Sequence, residues 1–307
     1  MSISYLSSNN PEYNSVSNTS VLPMGTPFFS VVIPLYNKEK NIGSTIDSVL
    51  NQTFSDFELI VVDDGSTDRS AEIVASYDDP RIRLIKKENG GVSSARNRGV
   101  KSSVGHYLYF LDADDIMVAE CLEKFDELVE MFPSYNVYAS NFYLCSNEQR
   151  KPFLITRSTP YLIRDTYRLI LIGDLFLRVG NNVIRREYAI GHMFNEEIDI
   201  YEDLDYFLRI VENQVIPFSP ECLYVYCLDN AYLSVSNMRN DQFFAYHADL
   251  RKGSSELKQI KANNVVVTIW SKFKSGRVSD SVCLLFRHIG SLPLLIRAIS
   301  IRILSKR

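Results

Sequence analysis

Between residues 29 and 131, short apolar runs alternate with amphipathic stretches, and this alternation constrains the fold more than any other feature of the chain. The apolar runs are Phe29 to Leu35, Phe57 to Val62, Ile82 to Ile85 and Tyr107 to Leu111. Helical patterns lie between and after them, at Ile42 to Leu50, Ser70 to Tyr77, Ser93 to Val100 and Val118 to Met131. In the last of these, Leu122, Phe125, Leu128 and Val129 share one face. Strands that alternate with helices predict a mostly parallel sheet covered on both sides. In such a sheet ligands sit at the carboxyl ends of the strands.

The remainder is less regular. Strand candidates lie at Asn136 to Phe142, Asn182 to Arg185 and Cys222 to Leu228, with a helix at Glu202 to Val211. Residues 1–27 are rich in Ser and Asn and read as a mobile leader. The expected organisation is that leader, then a catalytic domain over 28–237, then a helical region over 238–307. The domain divides into a nucleotide-binding half, 28–135, and an acceptor half, 136–237.

Charge is divided just as unevenly. Residues 1–250 hold 21 Lys and Arg against 35 Asp and Glu, a net of −14, whereas residues 251–307 hold 12 against 2, a net of +10. A basic region of this kind meets an anionic surface. No run of 18 uninterrupted apolar residues occurs, so no spanning helix is expected. The N-terminus carries no basic segment followed by an apolar run, so no signal peptide is expected and the location is expected to be cytoplasmic. The five cysteines are scattered and form no C-x-x-C pair, which argues against a disulfide framework or a zinc site.

Acidic residues gather where the strands end. The second strand runs into Val62-Asp63-Asp64-Gly65-Ser66-Thr67-Asp68, and the fourth into Phe110-Leu111-Asp112-Ala113-Asp114-Asp115. Carboxylates at strand ends can converge on one hard cation and a nucleotide. Ser66, Thr67 and Asp68 read as turn formers and helix caps instead. Three near-adjacent carboxyls after an apolar strand repel one another unless a cation joins them.

Four segments carry a resemblance. Ser30 to Asn37 (SVVIPLYN), Leu59 to Asp68 (LIVVDDGSTD), Gly90 to Asn97 (GGVSSARN) and Tyr109 to Asp115 (YFLDADD) resemble family 2 glycosyltransferases, in that family's order. The resemblance implies the GT-A fold, a Rossmann-like α/β sheet flanked by helices. It also implies a nucleotide-sugar donor, UDP-linked by preference, a Mn²⁺ or Mg²⁺ ion, and inversion at the anomeric carbon. By the same resemblance Pro34, Tyr36 and Glu39 surround the base and ribose. The ring of Tyr36 covers the base, or else is a core tyrosine. Asp64 reads the uracil or ribose, while Asp63 supports the turn. Asp112 and Asp114 match the D-x-D pair, with Asp114 the direct metal ligand, Asp112 nearer the ribose and Asp115 behind them. Arg96 and Asn97 approach the diphosphate or are ordinary helix-surface residues.

The acceptor side shows Tyr201-Glu-Asp-Leu-Asp205, similar to the family's Glu-Asp motif. An acceptor hydroxyl must lose its proton as the new bond forms, which calls for a carboxylate base. Asp203 is the expected base and Glu202 the alternative; both also favour a helix N-terminus, the role left to Asp205. His192 is a lesser candidate for the acceptor pocket. One departure stands out: family members often carry an arginine after the tyrosine of a late strand, but here Tyr226 precedes Cys227. Arg239 or Lys252 is the expected substitute charge.

A sugar nucleotidyltransferase would need a Gly-rich phosphate loop, and neither G-x-G-x-x-G nor G-x-x-x-x-G-K-[ST] is present. A non-catalytic nucleotide-sugar-binding protein would have lost acids that are all here. The expected substrates are therefore a nucleotide sugar and a saccharide or lipid-linked acceptor, in surface polysaccharide or glycolipid synthesis, with no nucleic-acid partner. The tail sequence from Val282 to Arg307 mixes apolar residues with arginines and is broken by Pro293. Leu294, Leu295, Ile299, Ile303 and Leu304 are expected to form one lipid-facing side at the inner face of the plasma membrane.

Overall fold

The structure is a computed structural model; it describes residues 25–147, 149–154, 158–227 and 243–304, with 301–304 described by backbone only. Most of the expected leader lies outside the described residues. The first half comprises β1 (Phe29–Leu35), α1 (Ile42–Leu50), β2 (Phe57–Asp63), α2 (Ser70–Ala75), β3 (Ile82–Lys86), α3 (Val92–Ser102), β4 (Tyr107–Phe110), β5 (Ile116–Met117) and α4 (Cys121–Met131). Then follow β6 (Val137–Ser146), β7 (Gln149–Pro152), β8 (Tyr161–Ile163), α5 (Thr166–Ile172), β9 (Asn182–Arg185), α6 (Arg186–Ile190), α7 (Glu202–Ile210) and β10 (Ile216–Cys227). The chain ends in α8 (Phe244–His247), α9 (Ser255–Lys274), α10 (Val278–Arg287) and α11 (Leu292–Leu304).

One sheet runs β3-β2-β1-β4-β9-β6-β10-β5, with β7 on β6 and β8 on β10. Its first four strands are parallel, as their alternation with helices requires. The α/β architecture expected from the sequence is present, but the sheet is mixed rather than mostly parallel. β9 enters antiparallel to both β4 and β6, so parallel pairing stops at β4 on that side.

Strand β1 is buried along its whole length, so its alternate residues serve opposite faces. Phe29, Val31, Ile33 and Leu35 pack with Ile42, Ile46 and Val49 of α1 and Leu122 and Phe125 of α4. Val32 points the other way, to Val100 of α3 and the buried Tyr206, Phe207 and Ile210 of α7. Gly99 of α3 permits this approach, since a Cβ there would meet a Val32 methyl at 2.2 Å. A third core joins Ile198, Ile200 and Leu208 to Phe243, Phe244, Leu257, Val265, Leu284, Leu295 and Ala298. The C-terminal helices thus share a core with the segment that carries α7.

The expected lipid-facing side of the last helix is divided. Leu295 is buried with Ala298 and Leu294 is half-buried, because both turn toward α9 rather than outward. Ile299 is exposed, and the side chains of Ile303 and Leu304 lie outside the described ones. No single helix among the described residues is long and apolar enough to cross a membrane. Pro293 falls in the first turn of α11, where its missing N–H is tolerated, just after the break at Ile289–Ser291.

Candidate active site

The carboxyl ends of β1, β2 and β4 open into a cleft of about 930 Å³. Pro34, Tyr36, Asp64, Arg96, Asp112, Asp114, Glu202 and Asp203 all line it. Pro34 occupies a strand position without an N–H to give, at the end of β1 where pairing is about to cease. Tyr36 is 47% exposed, so it is not a core tyrosine. Glu39 is not in the cleft wall. Its carboxylate accepts from the Arg69 N–H at 3.1 Å, just ahead of α2.

Asp64 is 3% exposed, and the Gly90-Gly91 turn holds both its oxygens. The N–H of Gly90 donates to Oδ1 at 3.0 Å, that of Gly91 to Oδ2 at 2.8 Å, and Lys87 Nζ also donates to Oδ1. Gly91 adopts φ 89°, a conformation that only glycine takes without strain. Asp63 accepts from the Ser66 N–H at 3.0 Å and so supports the turn.

Arg96 and Asn97 are both 3% exposed, so neither is a helix-surface residue. Asn97 is committed elsewhere, bonding Phe194 through both its amide atoms and Glu196 at 2.8 Å. Arg96 spans two motifs. Its Nη2 donates to Asp112 Oδ1 and its Nη1 to Glu202 Oε1, each at 2.9 Å. Burial alone would lower its pKa, but Asp112 and then Glu202 outweigh that and raise it.

Tyr201 enters α7 with φ 61°, a left-handed backbone that is an outlier for a bulky residue. The turn leaves Glu202 and Asp203 in the cleft wall and Asp205 bonded to Arg209 at 2.9 Å. Burial and then the neighbouring Asp203 raise the Glu202 carboxyl to about 7, against the pull of Arg96. Burial raises Asp203 too, opposed by Arg96 and Arg178. The hydrogen bond to Asp203 among the described residues comes from the Leu204 N–H at 2.7 Å, so most of its lone pairs remain available. His192 accepts no such role. It bonds the Tyr188 carbonyl at 2.8 Å and lies tilted against the Tyr188 ring, outside the cleft wall.

Seven carboxyls line the cleft, at Asp64, Asp112, Asp114, Asp115, Asp199, Glu202 and Asp203, against three basic groups, Lys38, Arg96 and Arg178. A diphosphate entering this field needs added positive charge. Among the described residues no three His, Cys, Asp or Glu side chains converge closely enough to hold a metal ion by themselves. Mg²⁺-type ions, however, are bound by one or two carboxylates with phosphates and water completing the shell. Asp112 and Asp114 carry hard oxygens of that kind, and Lys38 donates to Asp114.

The sequence from residue 30 to 193 matches the profile of Glycosyl transferase family 2. The chain belongs to this family. Among curated relatives in the family's lineage, an uncharacterized glycosyltransferase, EpsJ, of Bacillus subtilis is 42% identical over 126 residues, 40% of this chain and 36% of that one. An uncharacterized glycosyltransferase of Haemophilus influenzae is 34% identical over 168 residues, 53% of this chain and 64% of that one. A chondroitin synthase of Pasteurella multocida is 31% identical over 196 residues, 61% of this chain but 19% of its own. The chain therefore spans less than two thirds of the length of each of these relatives.

Solved structures agree on the fold. TarS residues 1–349 of S. aureus, in complex with UDP, superposes with TM-score 0.59 at 19% identity, covering 88% of this chain and 89% of that one. The mannosyltransferase PcManGT of Pyrobaculum calidifontis, in complex with GDP-Man and Mn²⁺, gives 0.58 at 16%, covering 92% and 82%. These likenesses establish a GT-A-type α/β fold.

Sequence reasoning missed Lys38, Lys87, Arg178 and Tyr224. Lys38 lay in view, one residue before Glu39 and after the family's first motif. Tyr224, whose hydroxyl donates to the buried Asp115, sits on β10 far along the chain. Lys252 is solvent-exposed beside Asp249 and is not in the cleft wall, and Arg239 lies outside the described residues.

Proposed function

We propose that the chain transfers a sugar from a nucleotide diphosphate donor, UDP-linked by preference, to a hydroxyl of a saccharide or lipid-linked acceptor, with inversion. The observation that carries this reading is one cleft holding both the strand-end acids and Asp203, a carboxyl that burial makes more basic. Structural neighbours in complex with UDP-GlcNAc, and with GDP-Man and Mn²⁺, support a nucleotide-sugar donor.

In this mechanism the nucleoside rests near Pro34, Tyr36 and Asp64. Asp203 takes the proton of the acceptor hydroxyl as its oxygen bonds the anomeric carbon. The bond from that carbon to the diphosphate oxygen breaks with its electron pair, and the nucleoside diphosphate leaves. Arg96 fixes Asp112 and Glu202 in register. A Mn²⁺ or Mg²⁺ ion held by Asp112 and Asp114 would neutralise charge on the departing diphosphate.

The proposal extends to location. Trp270, Phe273, Phe286, Ile289, Ile296 and Ile299 are exposed on α9 to α11 and on the turn between the last two, interspersed with Lys274, Arg287 and Arg297. This composition suits a cytoplasmic enzyme resting on an anionic membrane, the inner face of the plasma membrane. Ser271 of α9 lines the cleft between two such residues, so a lipid-linked acceptor would meet the site near that surface. Surface polysaccharide or glycolipid synthesis follows as the setting. Screening nucleotide sugars with Mn²⁺ for thermal stabilisation and donor hydrolysis tests the reading. It fails if no nucleoside diphosphate sugar gives either response.

A further inference from the structure

Most other charged side chains at the centre of the cleft pair with one another or with Tyr224. Arg96 takes Asp112 and Glu202, Lys38 takes Asp114, Lys87 takes Asp64, and Tyr224 donates to Asp115. Arg178 differs. It lines the cleft and forms no ion pair with a carboxylate among the described residues; the hydrogen-bond partner of its side chain is Tyr226. Its Nε is sealed from solvent and has no hydrogen-bond partner.

The position is nonetheless built. The Arg178 N–H donates to Asn181 Oδ1 at 3.0 Å, and its carbonyl accepts from Asn182 Nδ2 at 2.6 Å. The guanidinium lies 3.2 Å from the centroid of the Tyr226 ring, with the Tyr224 and Phe142 rings at 5.8 and 6.0 Å. Gly180 lets this segment pass close to these rings, since a Cβ there would fall 2.3 Å from the Tyr224 ring. Aromatic faces hold a cation, and one hydrogen bond to Tyr226 still leaves most of its five N–H donors unanswered. A guanidinium cannot shed its proton to escape burial, so the unused donors call for an anion from outside the protein. Its charge reaches the reacting groups, because it draws Asp203 downward and acts on Asp115.

We infer that Arg178 is the seat of an oxyanion in the cleft, a phosphate-type group of a bound substrate. The inference rests on the glycosyltransferase reading and adds a residue to it. Two sources share the chemistry: the diphosphate of the donor, and a phosphate or carboxylate on the acceptor. The planar fork of the guanidinium matches either through two parallel hydrogen bonds. Arg178 thereby supplies the positive contact that Cys227, following Tyr226, does not.

Calorimetry in Mn²⁺ tests it with UDP and uridine as probes, or GDP and guanosine where the wild type prefers them. For the donor source, Arg178→Gln weakens UDP about 10- to 100-fold, leaves uridine unchanged, and Arg178→Lys recovers part of the loss. For the acceptor source, UDP affinity is unchanged. The UDP-saturated wild type then binds inorganic phosphate, and the glutamine variant does not. Should that variant not fold, Arg178→Lys carries both arms, with a smaller loss expected in one of them. Unchanged UDP affinity together with equal or absent phosphate binding in wild type and variant overturns the inference. A wild type that binds no nucleoside diphosphate overturns the functional reading instead.

Discussion

Arg96 donates to Asp112 and to Glu202 at 2.9 Å each, joining the acid at the end of β4 to the first residue of α7 across 16 and 106 positions of sequence. One buried guanidinium therefore sets the spacing between the donor-side and acceptor-side acids. Losing it leaves two carboxylates facing each other without compensation. Arg96→Ala is expected to cost about 3–5 kcal/mol of stability, the range for breaking a buried pair. Arg96→Lys keeps the charge but not the fork, and is expected to fold with turnover down at least tenfold. Urea unfolding and steady-state kinetics on the two variants check this.

Asp203→Asn is expected to reduce turnover by about two to four orders of magnitude, as loss of a general base does, with UDP affinity nearly unchanged. Glu202→Gln still accepts from Arg96 and is expected to reduce turnover less. A larger loss in the glutamine variant would transfer the base role to Glu202.

Asp114→Asn removes a hard oxygen from the cation and leaves the fold intact. Mn²⁺-dependent UDP affinity is expected to fall at least tenfold, while UDP binding in chelator changes little. Lys38→Met acts in the opposite sense, since it releases Asp114 from a competing cation. Its Mn²⁺ requirement is expected at lower concentration. Equal Mn²⁺ dependence in all three proteins excludes Asp114 as a ligand.

The parallel half of the sheet was legible because its strands are apolar throughout and its helices amphipathic. β1 and β9 have the bounds that the patterns of Phe29 to Leu35 and Asn182 to Arg185 predict. β7 is exposed at every residue and β8 has only three, so neither carries a hydrophobic period. The strand-end acids were legible as a group, but their partners were not. Asn97 reads as a polar helix residue until Phe194 folds against it, nearly a hundred positions later. Arg178 sits in an irregular stretch, and only the pairing of β6 with β10 brings Tyr226 and Phe142 around it. Contacts of that range leave no mark in local spacing.

The raised Glu202 carboxyl has a consequence for stability. In the folded chain burial and Asp203 lift it from 4.5 to about 7, so the folded state keeps a proton that the unfolded chain has released. Folded protein then binds more protons between those two pH values. The contribution is full below 4.5 and is lost as pH rises through 7. Glu202→Gln is neutral throughout, so its Tm is expected to fall less than that of the wild type between pH 5 and 7.5. Parallel Tm curves for the two proteins contradict the shift.

The last prediction concerns α9 to α11. Trp270, Phe273 and Phe286 are 50%, 52% and 64% exposed, while Leu284, Leu295 and Ala298 of the same helices are buried in the shared core. Truncating these helices would strip the cover from that core, so substitutions on the outer face are the cleaner test. Aromatic rings of this kind settle at the headgroup level of a bilayer, and each nearby basic residue adds about 1 kcal/mol on anionic lipid. The full chain is expected to float with anionic vesicles at low salt and to be released as salt rises. Trp270→Ser with Phe273→Ser and Phe286→Ser is expected to stay at the bottom of the gradient and still to unfold cooperatively, because none of the three belongs to the shared core. A competing occupant of the same face is a second copy of the chain. Sedimentation distinguishes the two: a wild-type dimer that the triple change dissociates, with no flotation by either protein, assigns the face to self-association and removes the membrane proposal.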